Sequence, residues 1–409
     1  MKRLMIVLAI AAVLMFFLSV PVIMAQPTDY CEGNFDNDLD QDGTDAFVFK
    51  SDFGRSSLLD PCPVIECQTA EELEIRVVQL ETLLAQVTAL LENVTRAGND
   101  ITFSGVNVHI TNGLGGTQTA NGLGNLIVGY NEIRGEVPDI RTGSHNIVVG
   151  AAQNYSSYGG LIAGYYNTIA GPYASVSGGR SNQAMGDFSF VGGGGNTNPE
   201  LGNWAVANYS AILGGSVNTA GDPAVEDTSI GMYATVNGGS YNNPTGESAN
   251  VSGGFGNNAV GQNASVSGGR YNVASGDYSF VGGGGGSTAA GGNTAFANYS
   301  SVLGGYDNLA GDPVLTNHII GEGSSVSGGY DNTASGNWAS VSGGTSNTAS
   351  GYYSSVSGGN FNIASGSRAS VSGGFSNTAS GTGSSVSGGF VRSATGTDDW
   401  VAGSLWEEQ

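Results

Sequence analysis

Residues 33–45, GNFDNDLDQDGTD, concentrate side-chain oxygens that could bind a hard cation. A twelve-residue calcium loop takes its ligands from positions 1, 3, 5, 7, 9 and 12. With Asn34 at position 1, the other ligand positions hold Asp36, Asp38, Asp40 (through its backbone carbonyl), Asp42 and Asp45. This spacing predicts one Ca²⁺ site, and the alternative is a solvated acidic turn. Starting the loop at Asp38 fails, because Phe49 would then occupy the bidentate position.

All three cysteines of the chain lie around this acidic loop, at Cys31, Cys62 and Cys67. Disulfides are expected in an exported protein. A Cys31–Cys62 bridge would close off the loop and leave Cys67 to cross-link chains. The alternative is a Cys62–Cys67 bridge with Cys31 free.

The first 25 residues predict export. Lys2 and Arg3 precede an apolar run that Pro21 interrupts and that ends in Ile-Met-Ala. This pattern is typical of a signal peptide cleaved before Gln26, which would place the protein outside the cell or on its surface. The alternative is an uncleaved anchor. No later segment is apolar enough to span a membrane.

The charge of the mature chain excludes most anionic partners. Removing Lys2 and Arg3 from the 12 basic residues leaves 10 against 34 acidic ones, a net charge of −24. Such a chain should repel nucleic acid and anionic lipid. It suits an exported setting in which divalent cations are available.

Behind the Cys- and Asp-bearing module at 26–67, residues 68–96 predict a coiled-coil helix. Apolar residues alternate at spacings of four and three, which is the heptad pattern. The d positions hold Leu73, Leu80, Val87 and Val94, and the a positions hold Val77, Leu84 and Leu91. Leu at a with β-branched residues at d favours three or more chains. The alternative is a single amphipathic helix packed on a globular domain.

A connector at 97–124 leads into a repeat that fills residues 125–403 and is followed by a tail at 404–409. The connector segment ITFSGVNVHI alternates apolar and polar residues, as a strand does. The repeat has the pattern S-V-S-G-G-x-x-N-x-A-S-G and a period of mostly 15 residues. Its valine recurs at Val326, Val341, Val356, Val371, Val386 and Val401. A fixed short period predicts an all-β solenoid of stacked coils.

A longer repeat lies over the short one. Starting at Val176, the residues that occupy the valine position of the repeat are 15, 21, 24 and 15 residues apart. The same spacings recur from Val266, 90 residues later. The extra six and nine residues must form loops, which we expect at one common edge. These duplicated loops, at 196–206, 222–232, 286–296 and 312–322, are the strongest binding candidates in the repeat, since rigid scaffolds present binding residues on loops.

The repeat also predicts association of chains. A buried valine contributes roughly 1.5–3 kcal/mol, whereas ordering one residue costs about 1–2 kcal/mol. One Val and one Ala per coil are therefore too little for a lone chain, and several chains sharing an axis would bury a further face.

The SVSGG-x-x-NTASG coils resemble the head repeats of YadA-like trimeric autotransporter adhesins. The resemblance covers about residues 125–403 and implies a left-handed parallel β-roll, a homotrimer and a role in surface adhesion. The period here is mostly 15 where that family has about 14, and the coiled coil precedes the head. We expect no membrane anchor of that family's type.

The acidic loop resembles the Ca²⁺ loop of dockerin modules, whose twelfth ligand is also Asp. Leu39 stands where dockerins usually have Gly, and a single loop is present where they have two. The resemblance implies Ca²⁺ binding and opens a further possibility, an accessory protein recruited through this module.

Enzymatic chemistry is not expected. The run of glycines at 192–195 lacks a following GK[ST] and is no phosphate loop, and His109, His145 and His318 fall at no ligand spacing. Aromatic residues near one corner of the coils could bind glycans or stack to stabilise the turns. The sequence thus predicts an exported, trimeric, fibrous surface protein with an adhesin-like head that binds extracellular glycans or matrix proteins. The alternative is a purely structural rod of an envelope or matrix.

Overall fold

The computed structural model describes residues 70–135, 138–314, 317–403 and 405–407. The chain divides into two compact units, Met1–Asn107 and Val108–Gln409.

The described part of the first unit consists of one helix and one hairpin. Helix α1 spans Ala70–Leu90, and strands β1 (Val94–Ala97) and β2 (Asp100–Phe103) pair antiparallel around a two-residue turn. Gly98 begins that turn with φ 59°. The helix therefore ends at Leu90, before the predicted end at 96, and Val94, expected at a d position, lies in β1. β-Branched Val94 and Thr95 favour the strand, and the hairpin gives their backbone groups partners.

Apolar side chains of α1 lie exposed along its length. Leu73, Val77, Leu80 and Leu84 are all at least half exposed. A helix that leaves such residues in water lacks the packing that normally stabilises helices in proteins. This exposure agrees with the predicted coiled coil, which itself remains a prediction.

The second unit is a parallel β-solenoid of about 17 turns. Its main sheet, the valine ladder, joins one short strand from each coil, and neighbouring strands are parallel and in register up to the last pair, where the register shifts between Val386 and Gly388. Its strands are Leu126–Val128, Ile147–Ala151, Leu161–Tyr165, Ser175–Val176, Phe190–Val191, Ala211–Ile212, Thr235–Val236, Asn250–Val251, Ser265–Val266, Phe280–Val281, Ser301–Val302, Ser325–Val326, Ser340–Val341, Ser355–Val356, Ser370–Val371, Ser385–Gly388 and Trp400–Ala402. The strand Leu405–Glu407 then pairs antiparallel with Trp400–Ala402 and closes the C-terminal end.

A second sheet, the alanine ladder, runs beside the first in two sections. The earlier section holds Asn154–Tyr155, Thr168–Ile169, Gln183–Ala184, Trp204–Ala205 and Thr219–Ala220. The later section holds Asn258–Ala259, Val273–Ala274, Thr294–Ala295, Leu309–Ala310, Thr333–Ala334, Thr348–Ala349, Ile363–Ala364, Thr378–Ala379 and Ser393–Ala394. A third column consists of single parallel bridges, such as Tyr330 to Thr345.

Pro244 explains why the alanine ladder divides. It occupies the alanine position of its coil, and proline has no N–H to contribute to a ladder. Stacking continues on both sides of it, because Thr219 N–H donates to Asn242 O at 2.9 Å and Thr245 N–H donates to Ala259 O at 2.9 Å. The coil keeps its place although the sheet is interrupted.

A buried asparagine ladder runs through the coils. The backbone N–H of Asn347 donates to Oδ1 of Asn332 at 3.1 Å, and the Nδ2 of Asn332 donates to the carbonyls of Gly328 and Gly344 at 2.9 and 3.0 Å. The same contacts recur in each coil from Asn167 to Asn377. Gln153 Oε1 takes the first place in the ladder, and the N–H of Arg392 donates to Asn377 at its end. Each asparagine thus joins its own coil to both neighbours.

The solenoid core is complete within one chain. Val326, Ala334 and Asn332 are all 0% exposed, and the valine-column residues from Val148 to Val401 are at most 3% exposed, whereas Ile127 in the first coil is 38% exposed. One chain thus buries these side chains by itself, and the expected contribution of further chains to stability stays a prediction. Beyond the burial of the valine and the alanine, the buried asparagine adds hydrogen bonds that are each worth about 1 kcal/mol net. Trimer formation itself remains a prediction.

Candidate functional site

The predicted cation site and disulfides lie outside the described residues. This applies to Asn34, Asp36, Asp38, Asp40, Asp42 and Asp45, and to Cys31, Cys62 and Cys67. In the part of the chain that the structure describes, no group of three or more His, Cys, Asp or Glu side chains is placed to hold a metal ion. The candidate site of the solenoid is therefore its duplicated loops.

The six- and nine-residue insertions leave the coil at two different points. Residues 196–201 and 286–291 are inserted between the third bridge column and the asparagine ladder, whereas 222–230 and 312–320 follow the alanine ladder. The expectation of one common edge is therefore wrong. The spacing of the asparagines in the sequence indicates the two different points. Asn203 lies 12 residues after Val191, so the six extra residues come before the asparagine. Asn218 keeps the regular distance of six from Ile212, so the nine extra residues come after it.

The shorter insertions are held close to the coil below. Each contains one 3₁₀ turn, at Pro199–Leu201 and Ala289–Gly291, and Oδ1 of Asn198 caps the first by accepting from the Glu200 N–H at 3.1 Å. The chain then rejoins the regular coil at Gly202, next to Ser181 of the preceding coil. A Cβ there would lie 1.6 Å from Ser181 O, so only glycine fits this close approach.

The longer insertions begin with a tight turn and are tied to the preceding coil. Asp222 and Asp312 accept hydrogen bonds from the N–H two residues on, each at 2.9 Å. The carbonyls of Thr228 and His318 then accept from the N–H of Asn208 and Asn298 at 2.8 and 2.7 Å. These shared contacts give the two copies the same backbone attachment to the rod.

The two copies present different chemistry on this common frame. The first long insertion, DPAVEDTSI, exposes Glu226 and Asp227, and the pKa of Asp227 is lowered because the Ser229 hydroxyl and N–H donate to its carboxylate. The second, DPVLTNHII, exposes Val314 (84%) and Ile319. Among the described residues, the first copy thus exposes two carboxylates together with Ile230 and the second exposes Val314 and Ile319, so a partner would meet two dissimilar contacts.

Successive coils place these copies at a fixed distance. Five coils separate equivalent insertions, and at roughly 4.8 Å per coil they lie about 24 Å apart. The parallel register holds through the whole interval.

The aromatic side chains lie in two columns of the coil. Trp338 and Tyr353 belong to the turn before the valine ladder, whereas Tyr330 and Phe375 belong to the third bridge column and Phe361 follows it. The expectation that they gather at one corner is therefore wrong.

Stacking covers the ring faces in the longest aromatic run. Tyr173, Phe188, Tyr209 and Tyr233 follow one another at centroid distances of 5.0, 5.2 and 5.1 Å with interplanar angles of 15°, 3° and 15°. A sugar stacks on the face of an aromatic ring, and here each inner ring has its faces against its neighbours. This arrangement supports stabilisation of the turns rather than a glycan platform.

His145, His318 and the glycine run have structural contacts, whereas His109 is exposed. His145 Nε2 accepts from the Asn112 N–H at 3.2 Å, and His318 Nδ1 lies 2.6 Å from Phe296 O. In the glycine run, a Cβ at Gly195 would lie 1.9 Å from Arg180 O, which explains the glycine by close approach of the coils.

Comparison with models of known protein families gives no match, and no curated protein has a similar sequence. Among the described helices, none has both the length and the apolar character needed to cross a bilayer.

Proposed function

We propose that the chain is an exported, trimeric, fibrous surface protein whose solenoid head mediates attachment or matrix contacts through its duplicated loops. One observation carries the proposal. Regular, self-contained coils hold two pairs of inserted loops at the same attachment points, five coils apart. Rigid scaffolds that present loops are a common arrangement for binding, and a repeated contact adds avidity.

The insertions allow a clean test, because removing them restores the regular period. Deleting 196–201 and 286–291 turns two 21-residue coils into 15-residue coils, and deleting 222–230 and 312–320 does the same for the 24-residue coils. Binding of the loop-free protein to glycan arrays, matrix proteins and cell surfaces should be lost while its circular dichroism is kept. A matched control removes one regular coil, 341–355, and should bind as the parent does.

A purely structural rod is the second candidate. The covered ring faces of Tyr173, Phe188, Tyr209 and Tyr233 favour it, because they remove one route to ligand recognition. Failure of the parent protein to bind any array component or surface would support the rod and contradict adhesion.

The trimer is tested separately by sedimentation of the mature chain. The exposed apolar residues of α1 support association. A stable monomer would contradict the trimeric part of the proposal without affecting the loop experiment.

A further inference from the structure

The two ends of the solenoid differ in how they are closed. At the C-terminal end, Leu405–Glu407 pairs antiparallel with the last coil strand, and Val401 is buried. At the N-terminal end, Ile127 is 38% exposed, although the residues in register with it, Val148 and Ile162, are 0% exposed. What Ile127 lacks is cover from a neighbouring strand on its outer side.

The backbone of this first strand is open on the same side. In later coils, the carbonyl of the valine-column residue accepts an N–H from the coil before it, as Val191 O does from Ser177 at 3.0 Å. No coil precedes Leu126–Val128, and among the described residues no donor reaches Ile127 O. An open edge with apolar side chains is a ready template for another strand.

A matching segment lies shortly before this edge in the sequence. In residues 108–110, Val108 and Ile110 alternate with His109, all three are exposed, and no backbone hydrogen bond joins them to another described segment. The segment has the same length as Leu126–Val128, three residues. The segment therefore has the pattern and the length of the missing strand.

The position of these open surfaces points to a second copy as the source of the strand. The N–H of Asn112 donates to His145, and its Nδ2 donates to Thr119, so Asn112 lies beside the first coil. Residues 108–110 and the Leu126–Val128 edge nevertheless stay exposed in the single chain. The exposed apolar residues of α1 belong to the same N-terminal part of the chain. From residue 144 onward, by contrast, the solenoid covers its own core.

We propose that residues 108–110 of one chain add a strand to the Leu126–Val128 edge of a neighbouring chain in the assembly. The inference rests on the proposed trimer, because strand exchange requires neighbouring chains. Main-chain hydrogen bonds would supply the pairing, and Val108 and Ile110 would cover the exposed side chains of the edge. Each chain then both gives and receives a strand.

Photo-crosslinking of the full-length protein tests this pairing. Benzoylphenylalanine replaces Val108, and irradiated protein is separated under reducing, denaturing conditions. The expected product is a crosslinked dimer whose joined peptide contains residues 126–128. The same peptide in the monomer band would show pairing within one chain and would overturn the proposal, as would crosslinks only to other regions.

Two matched substitutions sharpen the test. Ile127→Asp should lower the yield of crosslinked dimer about tenfold or more, since a carboxylate would be buried under the added strand. Ile363→Asp changes an equally exposed isoleucine, 40% exposed and far from the end, and should leave the yield unchanged. Equal yields from both variants would contradict the proposal.

Sedimentation of the same samples separates the two ideas. A monomeric protein would overturn the trimer and this inference together. An oligomer without interchain crosslinks to residues 126–128 would overturn the strand exchange and leave the trimer standing.

Discussion

Oδ1 of Asn332 accepts the backbone N–H of Asn347 at 3.1 Å, so one buried side chain satisfies a main-chain group of the next coil. Asn332→Ala would leave that N–H and the Gly328 carbonyl without a partner, whereas Gly344 O would keep its bond from the Tyr330 N–H. Each buried unsatisfied group costs about 1–3 kcal/mol, so we expect a loss of about 3 kcal/mol or more. Thermal unfolding and hydrogen exchange of residues 326–347 measure it.

Asn360→Ala is the control for this prediction. Asn360 lies outside the ladder, and its buried Oδ1 has no hydrogen-bond partner. We expect a change within about 0.5 kcal/mol. An equal loss from both variants would show that the ladder adds nothing specific.

Gly344→Ala should disrupt its coil. Gly344 has φ 88°, and an added Cβ would lie 2.1 Å from Gly359 O. Backbone strain and the clash together predict a loss of about 3 kcal/mol or more in the free energy of unfolding. Gly358→Ala is matched in type but meets nothing within 4 Å, so its urea midpoint should stay close to the parent's.

Tyr209→Ala tests the stacked aromatic run. Tyr209 contacts Phe188 and Tyr233, and losing two ring contacts predicts destabilisation by about 1–3 kcal/mol. Tyr209→Gly should cost less than the alanine variant, because Tyr209 has φ 58° and glycine adopts this conformation without strain.

Ser248→Gly applies the same argument where stacking plays no part. Ser248 occupies the equivalent turn position with φ 56°. The substitution should raise the melting temperature, since glycine removes about 1 kcal/mol of strain. A fall in melting temperature would contradict the strain argument.

Asp307 predicts a pH-dependent stability. Its pKa is raised by partial burial and then by the carboxylate of Asp331 in the next coil. The folded state thus binds this proton more tightly than the unfolded chain, so the contribution is favourable at low pH and is lost as pH rises through the folded pKa. Asp307→Asn should raise the melting temperature modestly at pH 7, and the gain should vanish below the ordinary pKa of an aspartate.

The acidic N-terminal loop predicts Ca²⁺ binding. Isothermal titration of the mature chain with CaCl₂ should show a site that Asp36→Ala with Asp38→Ala abolishes, because both carboxylates are predicted ligands. The control is Asp222→Ala with Asp312→Ala, which removes as much charge from the solenoid loops. Absence of heat with the unaltered chain would contradict the prediction.

Much of the fold could be predicted from the phase of a few residues. The spacing of Val326, Val341 and Val356 fixes the parallel register, since a side chain that must be buried in every coil aligns the coils. The role of Asn332 was open between an amide ladder and a left-handed turn. The structure shows the ladder, and the left-handed conformation belongs to Asp331 at φ 55°.

Other features depend on contacts that a period does not encode. Whether the core is covered by one chain depends on how tightly the backbone turns, which Gly336 permits because a Cβ there would lie 2.1 Å from Gly351 O. The end of α1 was missed because Val94 fits both a heptad and a strand, and the pairing with Phe103 decides between them. The points at which the loops leave the coil are found by aligning the coils on their asparagines rather than on their valines.

The asparagine ladder also bears on how such a protein changes its length. Because each amide offers the same donor and acceptor to the coil before and the coil after, any two coils are interchangeable neighbours. Gene recombination that adds or removes whole coils would therefore need no new interface, and the 90-residue duplication from Val176 to Val266 fits this rule. The length of the solenoid would then vary by whole steps of one coil, with the loops carried along unchanged.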